Sequence, residues 1–159
     1  MIYLDTSILG ALFFREPTAP AILAHLETVD EDGLCVSACN LAEMASVGAI
    51  KERTRNIDAA GRAAGLAAFN RFVSDSLTLA EVEPGDFRVA VLLLDTPTLV
   101  LRAGDALHLA IVRRLRASLA TLDTRQSIAA NYCGIPVLSI DEKERFIFLI
   151  LWGRGALLW

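Results

Sequence analysis

Short apolar runs recur along the chain, each closed by polar residues of the kind that cap helices, and longer stretches with apolar residues every three or four positions follow them. The first run, Ile2-Tyr3-Leu4, stops at Asp5-Thr6-Ser7 and reads as a buried strand leading into a helix over 8–14, which Arg15-Glu16-Pro17 ends. A second helix is expected from about Pro20 to Thr28, then a turn at Asp30-Glu31-Asp32-Gly33 and a strand at Leu34-Cys35-Val36-Ser37. Asn40-Leu41-Ala42-Glu43 opens the next helix. Residues 58–76, alanine-rich with Leu66, Phe69, Phe72 and Val73 at helical spacing, predict a long amphipathic helix that Gly61 and Gly65 weaken in its first half. A strand over 77–82, a helix from Pro84 to Leu94, a helix over 102–116, a strand over 119–122, a short helix over 124–132 and a strand over 137–140 complete the pattern.

Strands alternate with helices and hairpin signals are few, which predicts an α/β fold: a central, mainly parallel β-sheet flanked by helices on both faces. One domain is expected over 1–140. The extension 141–159 carries the apolar run Phe146–Trp152, expected to pack on its own domain or on a partner subunit.

At 159 residues and 54% hydrophobic, the chain can bury a core without a structural metal or disulfide, so a bound metal would serve chemistry. Cys35, Cys39 and Cys133 are an odd set without CxxC spacing and read as small core residues, and no basic segment precedes an apolar run at the start. A cytoplasmic, unprocessed protein is the expectation. The apolar runs are far shorter than the roughly 20 residues of a membrane span. Fifteen Lys and Arg against nineteen Asp and Glu, a net charge of −4, exclude a polycationic coat for nucleic acid and leave only local contact with it.

Asp5 and Asp123 each follow a predicted strand, and Glu43 and Asp105 lie in the first turns of helices. In an open α/β sheet the carboxyl ends of the strands form the ligand-binding edge, where four carboxylates from distant positions would converge. Their repulsion calls for a cation, and oxygen-only ligation favours Mg²⁺, or Mn²⁺ in its place, over zinc. Thr6, Ser7 and Thr121 offer hydroxyls to orient the ligands. Each acid also has a structural reading: Glu43 as a capping-box partner of Asn40, Asp105 as a helix-dipole carboxylate, Asp123 as an N-cap. Asp5 has two better caps beside it. His108, one turn after Asp105, is expected to pack in the core with a satisfied hydrogen bond.

The blocks Ile2-Tyr3-Leu4-Asp5-Thr6-Ser7, Asn40-Leu41-Ala42-Glu43-Met44, Leu101-Arg102-Ala103-Gly104-Asp105-Ala106-Leu107-His108-Leu109-Ala110 and Thr121-Leu122-Asp123, in this order and spacing, resemble the PIN-domain ribonucleases and especially their VapC-type toxin branch. The resemblance implies that Asp5, Glu43, Asp105 and Asp123 are the metal-site and catalytic acids, with Thr6 and Thr121 in support. It further implies a homodimer, a cognate antitoxin partner and single-stranded or tRNA-type RNA as substrate. Arg53, Arg55, Arg113, Arg114 and Arg116 are candidates for phosphate contacts. Three other readings compete. A catalytically inert PIN-like interaction module would keep the fold alone. A haloacid-dehalogenase-type phosphatase would use Asp5 as nucleophile, but Ser7 stands where that family has its second Asp. A response-regulator receiver needs a lysine near its last strand, and the lysines are Lys51 and Lys143.

Overall fold

Strands and helices alternate through the computed structural model, which describes residues 1–27 and 33–138. Strand β1 (Ile2–Leu4) leads to α1 (Thr6–Phe13) and α2 (Ala19–Leu26), and β2 (Leu34–Ser37) to α3 (Ala38–Arg53) and α4 (Ala59–Ser76). Then β3 (Thr78–Ala80) leads to α5 (Pro84–Leu94) and α6 (Ala103–Leu115), and β4 (Ser118–Ala120) to α7 (Thr124–Tyr132) and β5 (Val137–Leu138). The strands form one sheet in the order β3-β2-β1-β4-β5, and every pairing is parallel. Ile2 is in register with Leu34 on one side and with Ser118 on the other.

The chain lays β2 and β3 outward on one side of β1 and then returns to lay β4 and β5 on the other. Strand order therefore reverses at β1, which opens a crevice at its carboxyl end. Alternation along the strands feeds two cores. Tyr3, Cys35 and Leu119 pack on one face with Leu109 and Ile111 of α6 and Ala129 of α7. Leu4, Val36 and Ala120 pack on the other with Ile8, Leu9, Ile22, Met44 and Phe69 from α1 to α4. The central strands β1, β2 and β4 are largely buried on both faces, which is why their runs read as continuously apolar.

Some boundaries differ from the sequence pattern for local reasons. Helix α1 begins at Thr6 rather than residue 8, because Asp5 itself is the N-cap, its side chain accepting from the Ser7 amide. The strand expected over 119–122 is Ser118–Ala120, since Thr121 turns the chain and its hydroxyl accepts from the Asp123 amide at 3.0 Å. Gly65 marks the close approach of α4 to α1: a Cβ there would stand 2.8 Å from the Phe13 carbonyl oxygen and from the Phe14 ring. A glycine that costs helix propensity thus permits the packing of the two helices. The docking of α6 on α5 is fastened by Arg114, whose Nε and Nη2 donate to the buried Asp86 carboxylate at 2.8 and 3.0 Å.

Among the described residues no helix is long and apolar enough to cross a membrane. All but Gly33 of the turn expected at 30–33, the domain boundary at 140 and the extension 141–159 lie outside the described residues.

Candidate active site

The crevice at the carboxyl end of β1 holds a cleft of about 460 Å³ lined by Asp5, Glu43, Asp105 and Asp123, together with Thr6, Ser7 and Glu16. Parallel topology brings them there: Asp5 leaves β1, Glu43 lies near the start of α3 after β2, Asp105 in the first turn of α6 and Asp123 at the N-cap of α7 after β4. The four acids chosen from sequence thus share one cleft. Glu16, whose carboxylate pairs with Lys51, is a fifth acid that the sequence pattern did not single out.

Hydrogen bonds tie each carboxylate to the fold. Asp5 Oδ2 accepts from the Ser7 amide at 3.1 Å, from Ser7 Oγ at 2.6 Å and from Thr121 Oγ1 at 3.1 Å. Among the described residues its Oδ1 meets only the Gln126 amide. With that amide assigned by its hydrogen-bond network, nitrogen toward Asp5, it donates to both carboxylate oxygens at 3.2 Å and to Thr121 Oγ1 at 2.8 Å. Glu43 Oε2 accepts from Thr6 Oγ1 and lies 2.8 Å from His108 Nε2. Asp105 Oδ2 accepts from the Arg102 amide at 3.0 Å. Asp123 Oδ1 caps α7 through the Arg125 and Gln126 amides, and its Oδ2 meets the Arg125 guanidinium at 3.1 Å.

Three of the acids are therefore helix caps as well as cleft residues, and the better caps supposed to stand beside Asp5 serve it instead. Glu43 is not a capping-box partner. That role belongs to Asn40, whose Oδ1 accepts from the Ser37 amide at 2.8 Å, while its Nδ2 donates to Leu4 O and to Thr6 Oγ1. A relay thus runs from β1 through Asn40 and Thr6 to Glu43.

The crowding of acids is compensated. Burial pushes the Glu43 carboxyl up, but the His108 hydrogen bond and charge and the Thr6 hydroxyl outweigh it, so its pKa is lowered. The Arg125 hydrogen bond holds Asp123 below the usual carboxylate range against the opposing effect of burial. Burial lowers the His108 pKa, yet the Glu43 hydrogen bond and the negative charges of Glu43, Asp5 and Asp105 leave it raised. Burial also pushes the Cys35 thiol up to about 11, which suits a core residue and not a nucleophile.

The donor chemistry fits a hard divalent cation. Glu43 Oε1 and Asp105 Oδ1 accept no protein hydrogen bond among the described residues, and Asp5 Oδ1 accepts only the neutral Gln126 amide. The cage is not preformed: among the described residues no group of three acid, His or Cys side chains stands ready to enclose an ion. The five arginines named as candidates for phosphate contacts lie away from the four acids or are engaged elsewhere. Arg113 and Arg116 lie roughly 12–16 Å along α6 from Asp105, at the far end of the helix. Arg53 and Arg55 likewise lie at and beyond the far end of α3. Arg114 is engaged by Asp86 and Glu83. The guanidinium that does reach a cleft acid is Arg125.

Gln126, Arg125 and the Tyr3–His108–Glu43 contacts escaped the sequence pattern. Gln126 had one signal, a polar residue three after Asp123, one turn into the helix that leaves the acidic edge.

An open parallel α/β domain with an acid-lined cleft at its switch point is the class that fold and site define. The PIN domain profile matches residues 2–132, and the chain belongs to that family. No curated protein matches it. Among solved structures it is similar to FitAcB from Neisseria gonorrhoeae, with a TM-score of 0.65 and 17% identity over 88% of this chain and 98% of that one. Mycobacterium tuberculosis VapC20, described as a sarcin-ricin loop cleaving toxin, has a TM-score of 0.64 and 18% identity over 81% and 95% of the two chains. VapBC2 from Rickettsia felis, bound to a DNA fragment from its promoter, has a TM-score of 0.63 and 16% identity over 87% and 98%.

Proposed function

We propose that the protein is a metal-dependent endoribonuclease toxin that hydrolyses phosphodiester bonds in single-stranded or tRNA-type RNA and is held inactive by a cognate antitoxin. The observation that carries this reading is the sharing of one cleft by four acids, three of which keep an oxygen without a charged partner among the described residues. Membership of the PIN family and the likeness to toxin–antitoxin proteins support it.

In this reading Asp5 is the central ligand, Glu43 and Asp105 are further ligands or orienters of water, and Asp123 is an outlying acid. A bound Mg²⁺ or Mn²⁺ would supply Lewis acidity toward the scissile phosphate and lower the pKa of water. The protein's own part is to hold the carboxylates: Ser7 and Thr121 hold Asp5, Thr6 and His108 hold Glu43, and the Arg102 amide holds Asp105. Arg125, beside Asp123, is a cation at the cleft for a substrate phosphate. The exposed apolar residues Phe87, Val91, Leu94 and Val100, on α5 and the segment after it, are the surface we assign to a second copy in a homodimer. The site of action is the cytoplasm.

Incubation of the purified protein with total RNA and with tRNA tests the reading. Cleavage with Mg²⁺ or Mn²⁺ that stops with EDTA is expected. Equal cleavage in EDTA overturns the metal mechanism, and no cleavage of any RNA favours the inert interaction module.

A further inference from the structure

His108 is 1% exposed and has both ring nitrogens engaged. Nε2 lies 2.8 Å from Glu43 Oε2, and Nδ1 lies 2.5 Å from the Tyr3 hydroxyl. The Glu43 carboxylate only accepts, so Nε2 carries a proton. The Tyr3 hydroxyl is itself buried, with Ser37 Oγ at 2.6 Å and Asn40 Oδ1 at 3.0 Å. Those neighbours satisfy it in either direction. Tyr3 donates to Nδ1 of a neutral ring and accepts from Ser37, or it accepts from Nδ1–H of a charged ring and donates to Asn40. In both arrangements Nε2–H points at Glu43, so the contact does not depend on the ring's charge.

The consequence falls on Glu43. Its Oε2 is committed twice, to Thr6 and to His108, while Oε1 accepts nothing from the protein among the described residues. Oε1 lies against the start of α6 at Gly104, where a Cβ would stand 2.8 Å from it. Held by two donors on one oxygen, the carboxylate has no easy rotation away, and the absent side chain at Gly104 leaves Oε1 its space.

We propose that His108, its ring held in place by the Tyr3 hydroxyl, is a positioning residue that locks Glu43 so that the single oxygen Oε1 is offered to the divalent cation. This rests on the cation-dependent reading above and goes beyond it by assigning a role to a buried histidine from the opposite core. Partners that orient ligating groups in this way typically carry 10–100-fold in metal affinity.

The test measures Mn²⁺ affinity by titration calorimetry on the full chain, with no RNA present, alongside circular dichroism and thermal melting. His108→Leu removes the donor. His108→Gln restores an N–H close to the position of Nε2. His108→Asn keeps a polar group beside Tyr3 and is too short to reach Glu43. Wild type is expected to bind Mn²⁺, His108→Leu to bind about 10–100-fold more weakly, and His108→Gln to recover most of the loss even where its melting temperature remains low. Wild-type affinity in a folded His108→Leu overturns the proposal, as does an equal loss in the Leu and Gln variants. Should Leu prevent folding, His108→Asn decides: weaker Mn²⁺ binding supports the proposal and wild-type binding overturns it. No Mn²⁺ binding by wild type overturns the cation-dependent reading itself, which separates that failure from the failure of His108 as a positioning residue.

Discussion

Replacing Asp5 by Asn and by Ala separates a metal ligand from a helix cap, because the structure makes Asp5 both. Asn keeps an acceptor for the Ser7 amide, Ser7 Oγ and Thr121 Oγ1, and Asn caps a helix about as well as Asp. Gln126 can turn its amide over to accept from the new side chain. What Asn loses is charge assistance, worth about 1 kcal/mol, and removal of one of four crowded negative charges offsets it. Without metal, Asp5→Asn should therefore melt within about 3 °C of wild type. Ala loses the cap, about 1 kcal/mol, and strips the acceptor from two hydroxyls at a site only 6% exposed, about 1–2 kcal/mol more. That is a fall of roughly 5–10 °C for a chain of this size. With Mn²⁺ at about 100 times its dissociation constant, wild type should gain about 2.7 kcal/mol, while neither variant responds. Differential scanning fluorimetry in EDTA and in Mn²⁺ reads both effects. If Asn melts as low as Ala in EDTA and still rises with Mn²⁺ as wild type does, Asp5 is a structural residue and the assigned role is wrong.

Three further outcomes are expected. Gly65→Ala gains about 1 kcal/mol of helix propensity but forces a methyl against the Phe13 carbonyl and the Phe14 ring, so a net loss of about 1–2 kcal/mol should appear as a lower urea midpoint. Asp86→Ala removes the capping acceptor of the Glu83 amide and the two-point contact of Arg114, and should cost about 2 kcal/mol by chemical denaturation without changing Mn²⁺ affinity. The raised pKa of His108 means that the part of its stabilisation that comes from ring charge is fully present below its ordinary value near 6.5 and is lost as pH rises through its folded value, while the Nε2–H contact remains. The stability difference between wild type and His108→Gln should therefore shrink as pH rises above about 6.5, and a difference that grows contradicts the pairing with Glu43.

The alternation that placed Ile2–Leu4, Leu34–Ser37 and the later strands, and the acids that follow or flank them, was legible because each signal is local. A strand end, a cap and a helical stripe lie within a few residues of one another. What connects them is not local. Tyr3 meets His108 across 105 residues and Glu43 meets His108 across 65, and no periodicity says which buried polar groups will face each other through the sheet. The same limit applies to where the arginines lie. Arg113 and Arg116 share a helix with Asp105, but the rise of that helix carries them to its other end. Gln126 escaped because a glutamine in a first helical turn ordinarily faces water, whereas here the turn is packed over Asp5.

The most direct measurement is anomalous diffraction from crystals grown at a Mn²⁺ concentration that supports RNA cleavage. The expected result is an anomalous peak at bonding distance from Asp5 and from at least one of Glu43 and Asp105, with Glu43 coordinating through the oxygen that His108 and Thr6 leave open. Mn²⁺ bound outside the cleft, or a cleft without a peak under conditions where RNA is cut, would contradict the claim that these acids hold the ion the reaction uses.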